Sequence, residues 1–187
     1  MRFNILVVFV LCSLVYLFNP SAVHHKYINQ EIAYVSMEKT QLRDLITMVL
    51  KYLDPTIPYS DNAVELLMLT CAQESHLGTY LKQIKGPAKG IFQMEPNTEK
   101  DIYENFLRYR PGLSMKIRSL SYDCPMPDDL HANLAYQIAM ARIQYFRSPR
   151  PIGDNVTSWA NLWKLCYNTP LGKGTTEEAV ANYERLC

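Results

Sequence analysis

Ala72-Gln73-Glu74-Ser75-His76-Leu77-Gly78, followed by Gly86-Pro87-Ala88-Lys89-Gly90-Ile91-Phe92-Gln93-Met94-Glu95-Pro96-Asn97-Thr98, is the stretch on which the fold turns. Just upstream, Val64, Leu67, Met68 and Cys71 recur at helical steps, with Asn62 and Glu65 placed as a cap and its reciprocal partner. This predicts a helix through Glu74, ended by Gly78. Between Thr79 and Met94 the helical period is lost, and Gly86, Pro87 and Gly90 cut the chain into short runs, which predicts a loop or small hairpin. Helical character returns over Thr98–Tyr109.

Outward from this stretch the pattern stays helical. Leu42, Leu45, Ile46, Val49, Leu50 and Leu53 form one stripe, and Asp54-Pro55-Thr56-Ile57-Pro58 stops it, because proline lacks the N–H and disfavours helix at the residue before it. Downstream, a short helix is predicted near Ser114–Leu120 and a long one over Leu130–Phe146, with Leu134, Ile138, Ala141 and Tyr145 on one face. The last two helices flank the turn-rich run Asn168-Thr169-Pro170-Leu171-Gly172-Lys173-Gly174, and Thr175 with Glu178 forms a capping box for the terminal one. The fold class is therefore mainly α, with one small loop or β-hairpin lobe after Glu74, and one domain over residues 37–187.

The composition, 48% hydrophobic and 20% charged with a formal net charge of +1, is that of a globular domain, and it provides no field to attract nucleic acid. The N-terminus differs. An apolar run from Ile5 to Phe18 is closed by Asn19-Pro20-Ser21-Ala22, so residues 1–22 are expected to be a signal peptide or membrane anchor and residues 23–36 a connector. As a helix the run would reach about 21 Å, short of the ~30 Å bilayer core. The expected location is outside the cytoplasm, exported or held to the membrane through residues 5–18. Cys12 follows Leu11, not the small residue of a lipid-anchor signal. Cys71, Cys124, Cys166 and Cys187 can form two disulfides in three pairings, or remain reduced thiols. They are too dispersed for a zinc site, and His24-His25 reads as solvated, so no metal or organic cofactor is implied.

Cleaving a glycosidic bond requires a carboxyl group that is still protonated near neutral pH. Glu74 suits that task because it follows an apolar helix face and lies at the helix's negative end, where both surroundings disfavour the ionised form.

The ordered context of Glu74 resembles the lytic transglycosylase and goose-type lysozyme superfamily, whose members carry a Glu-Ser pair, then Gly-Ala-x-Gly-Leu-Met-Gln and a downstream Pro-x-Thr. Ala88, Gly90, Ile91 for Leu, Phe92 for Met, Gln93, Pro96 and Thr98 fall at matching offsets, and Pro87 stands where the family has its first Gly. Asn133-Leu134 resembles the start of a later family helix, and Trp163-Lys164-Leu165-Cys166-Tyr167-Asn168 resembles the family's Tyr-Asn motif, followed by a Gly-bearing loop and a closing helix with Tyr183. The similarity spans residues 62–183 and is closest in wording to small bacteriophage-borne members.

The resemblance implies a lysozyme-like helical domain acting on peptidoglycan glycan strands. Glu74 would be the catalytic acid and base, with Ser75, Gln93, Tyr167 and Asn168 as substrate-binding residues. Each binding residue also has a plainer role: Ser75 as a helix-end cap, Gln93 as a loop tie, Tyr167 as a buried ring with a satisfied hydroxyl. Gly90 either lets backbone approach the sugar or simply makes a positive-φ turn. Lys82, Lys85 and Lys89 are either contacts for anionic wall polymers or solvating charges.

Two-carboxylate glycosidases need a partner for the acid, but Asp101, Asp123, Asp128, Asp129 and Asp154 lie in no motif that assigns one. The resemblance therefore implies a one-carboxylate route ending in a 1,6-anhydro sugar. The competing readings are a hydrolase on the same fold, a non-catalytic glycan-binding protein and a membrane-anchored adaptor. No oligomeric state follows from the sequence.

Overall fold

The computed structural model describes residues 37–121, 128–168 and 172–187. The apolar run, Cys12, His24-His25, the connector over residues 23–36, Asp123, Cys124 and the middle of the 168–174 loop lie outside the described residues. None of the helices described is long and apolar enough to cross a membrane.

The domain is mainly helical. Helix α1, Lys39–Leu53, is capped by the Glu38 carboxylate, which accepts from the Thr40 and Gln41 amides, and it buries Leu42, Ile46, Val49, Leu50 and Leu53 as its stripe predicts. Helix α2, Asp61–Ser75, starts earlier than expected. Ser60, extended at φ −157°, accepts from the Ala63 amide and is the cap, not Asn62. Glu65 is drawn elsewhere: its carboxylate takes Arg43 at 2.8 Å and the Tyr183 hydroxyl at 2.6 Å.

Helix α3, Pro96–Asn105, runs into a short 3-10 turn over Leu107–Tyr109, and α4 follows over Pro111–Arg118. Prolines open both α3 and α4, where a missing N–H costs nothing. The single long helix expected over Leu130–Phe146 is two: α5, Asp129–Ala132, and α6, Leu134–Phe146. Asn133 makes the break, because its Oδ1 caps α6 through the Tyr136 amide while its Nδ2 donates to the Leu120 carbonyl. Helix α7, Val156–Trp163, continues as a π turn over Lys164–Asn168, and α8, Thr176–Leu186, starts on the expected box, with Thr175 and Glu178 exchanging side-chain and backbone hydrogen bonds.

Helix α2 is the centre of this arrangement, packed by α1, α6, α7 and α8. It is buried on nearly every face, from Ala63 through Leu66, Leu67, Met68, Leu69 and Cys71 to Ala72. Such a helix is held by surrounding side chains, each fully buried leucine contributing roughly 1.5–3 kcal/mol.

After α2 the chain turns through three successive left-handed residues, His76, Leu77 and Gly78, so the helix ends at the serine rather than at the glycine. The excursion that follows is a loop. Among the described residues it contains no strand, only isolated antiparallel bridges of Lys89 with Lys82 and with Met94. Positive φ angles at Lys85, Gly90 and Gln93 interrupt the extended backbone a ladder would need. Gly90, at φ 72°, is required twice over, since a Cβ there would sit 2.3 Å from the Leu130 carbonyl oxygen and 2.4 Å from Gln137 Oε1.

The described thiols of Cys71, Cys166 and Cys187 are all free, so no disulfide joins any two of them. Cys71 is simply a core side chain on α2.

Candidate active site

Glu74 is the penultimate residue of α2, and its carboxylate points away from the core into a cleft of about 590 Å³. The walls come from the 79–94 loop, the start of α3, the last turn of α6 and the π turn after α7, through Gln83, Gln93, Glu95, Thr98, Gln144, Tyr167 and Asn168 among others. Glu74 Oε1 accepts a hydrogen bond of 2.9 Å from the Trp163 indole N–H. Burial pushes the Glu74 carboxyl up to about 7, and the indole hydrogen bond opposes part of that rise. The first effect is the cost of placing charge in a medium of low polarity, and the second is stabilisation of the ionised form by a donor. At neutral pH such a group exists in both protonation states in comparable amounts, so it can give a proton and take one back.

The expected binding residues divide. Gln93, Tyr167 and Asn168 all line the cleft with Glu74. Ser75 does not: it is 0% exposed, and its hydroxyl donates to the Cys71 carbonyl and accepts from the Gly78 amide. It therefore fixes the turn behind Glu74 and cannot reach a ligand.

Gln93 takes its plainer role as a loop tie. Its Nε2 donates to the Gly90 carbonyl at 2.7 Å and the Tyr80 carbonyl at 3.2 Å, which ties the loop, while its Oε1 has no protein partner among the described residues. Tyr167 stacks on Tyr145 with ring centroids 5.5 Å apart and donates its hydroxyl to the Phe92 carbonyl. Its proton is thereby spent on the loop, and the indole of Trp163, not this phenol, orients the Glu74 carboxyl. Burial and the neighbouring Glu74 charge hold the Tyr167 hydroxyl well above its ordinary range, so it stays neutral. Asn168 Oδ1 accepts from Lys164 Nζ, which also donates to the Gly172 and Gly174 carbonyls and so staples the far wall of the cleft.

No protein-family model, curated protein or solved structure matches the chain.

The site stands on its own geometry. That geometry includes residues the sequence left unassigned. Trp163 belongs to the Tyr-Asn segment and is a donor-only side chain, so a buried acceptor nearby was the signal to look for. Glu95, beside Pro96, is the N-cap residue of α3. Its side chain makes no capping bond and it lines the cleft instead. The aspartates fare otherwise: Asp101 is paired with Arg147 and Asp128 with Lys89, and neither lines the cleft. Lys89 is thus committed to an ion pair, whereas Lys82 and Lys85 remain exposed. Among the described residues no cluster of His, Cys, Asp or Glu is arranged to hold a metal ion.

Proposed function

We propose that this chain is a peptidoglycan lytic transglycosylase with a lysozyme-like domain, acting outside the cytoplasm on the β-1,4 bond between N-acetylmuramic acid and N-acetylglucosamine. The observation that carries this reading is Glu74: a carboxyl group raised to about 7 by burial, held by Trp163, lining a cleft of about 590 Å³.

In this mechanism Glu74 gives its proton to the bridging oxygen, and the N-acetylglucosamine side leaves with a free 4-hydroxyl. The muramyl N-acetyl oxygen bonds transiently to the anomeric carbon. The Glu74 carboxylate then removes the proton of the muramyl 6-hydroxyl, whose oxygen displaces the acetamido oxygen. The product is a 1,6-anhydro ring, no water is consumed, and Glu74 is again protonated. Gln93 Oε1 is available to accept from an acetamido N–H, and the Asn168 amide nitrogen can donate to a sugar hydroxyl.

A hydrolase is the second reading, and Glu95 favours it, because a second carboxylate in the cleft is what a glycosidase uses to activate water. Mass spectrometry of digested peptidoglycan separates the two, since anhydromuramyl ends are one water lighter than hydrolysed ends. Anhydro ends from the wild type and from Glu95→Gln alike support the transglycosylase. Hydrolysed ends that vanish in Glu95→Gln support the hydrolase.

A further inference from the structure

Gln144 lines the Glu74 cleft and also a second groove of about 310 Å³, so the two adjoin at this side chain. The groove is walled by Arg147, Ser148 and Arg150 at the end of α6 and by Leu165 and Cys166 of the π turn. Gln144 is fixed between these walls, donating to the Cys166 carbonyl at 3.0 Å and accepting from Arg147. Arg147 is committed to Asp101. Arg150 is different: it is exposed, and its guanidinium has no hydrogen-bond or ion-pair partner among the described residues. No carboxylate lines the groove, and Leu165 opposite is 51% exposed.

A free guanidinium in a groove that also holds an exposed leucine, next to the Glu74 cleft, matches a carboxylate carried on a short aliphatic stem. We propose that this groove extends the glycan cleft and that Arg150 binds a carboxylate borne by the strand, a proposal that rests on the glycan reading above. Cell-wall strands offer that chemistry in two places: the free carboxylates of a stem peptide, and the lactyl carboxylate exposed once the peptide is removed.

The test uses full-length protein carrying Glu74→Gln, so that strands bind without being cut, with and without Arg150→Glu, at low ionic strength. Three probes are titrated: uncharged chitin oligosaccharide, peptide-bearing peptidoglycan strands, and strands stripped of peptide by an amidase. Arg150→Glu is expected to weaken binding of a carboxylate-bearing probe by about fivefold or more and to leave chitin binding as it was. Loss confined to peptide-bearing strands identifies the stem peptide, and loss confined to stripped strands identifies the lactyl group. Equal affinity on all three probes, or an equal loss that includes chitin, overturns the proposal while leaving the glycan reading intact. If the Glu74→Gln protein binds none of the probes, the glycan reading fails and this proposal with it.

Discussion

Replacing Glu74 with glutamine separates the cost of a buried charge from the chemistry it performs. The carboxyl group titrates near 7 in the folded chain against 4.5 when unperturbed, so between these values the native state holds more protons than the unfolded one. Stability at this site must therefore fall as pH rises from about 4.5 to about 7, by at most roughly 3 kcal/mol at 1.36 kcal/mol per unit. Glutamine keeps an oxygen for the Trp163 indole but has no charge to desolvate. The variant should thus match the wild type in melting temperature at pH 4 and exceed it at pH 8.5, by up to about 6–12 °C for a domain of this size. Every other titrating group is common to both proteins and cancels in the difference. The same variant should lose roughly 10²–10⁴-fold in strand cleavage, the range for removing a general acid. Differential scanning fluorimetry across pH, with turbidity clearing of purified cell walls, measures both. A pH-independent gap between the two melting curves would refute the elevated acid, and undiminished clearing would refute its role.

Other perturbations act on the supports of the site. Trp163→Phe removes the donor that favours ionised Glu74, so the alkaline limb of the pH–rate profile should move to higher pH, and an unmoved limb would mean the indole contact is idle. Lys164→Met frees the Asn168 side chain and the Gly172 and Gly174 carbonyls; limited proteolysis should then cut near residues 168–174 faster, with roughly 1–3 kcal/mol lost in urea unfolding. Gly90→Ala drives a methyl group into the Leu130 carbonyl and Gln137 from a left-handed backbone, and should cost about 3 kcal/mol or more, seen as loss of soluble protein.

Much of the architecture was legible because it rests on periodicity. The α1 stripe, the α7–α8 pair and the Thr175–Glu178 box all formed where apolar spacing and capping chemistry put them. The failures have local causes. Ser60 outcompeted Asn62 as a cap because Glu65 was needed by Arg43 from another helix, an attraction between residues far apart in the chain. Asn133 split a helix that periodicity reads as continuous, because its amide had a long-range acceptor in Leu120. In the site, Glu74, Gln93, Tyr167 and Asn168 came together as anticipated, while Ser75 turned inward. A serine beside a glutamate on a helix faces about 100° away from it, so a neighbour in sequence is not a neighbour in the cleft. Trp163 and Glu95 became visible only once the distant segments were assembled around α2.

The acid-bearing helix behaves as the spindle of the domain. Because side chains from Leu66 to Ala72 are wholly enclosed, Glu74 cannot shift or rotate without dislodging the surrounding helices. Any adjustment of the cleft to an occupant therefore falls to the turns on either side of Gln93 rather than to the helix that carries the acid.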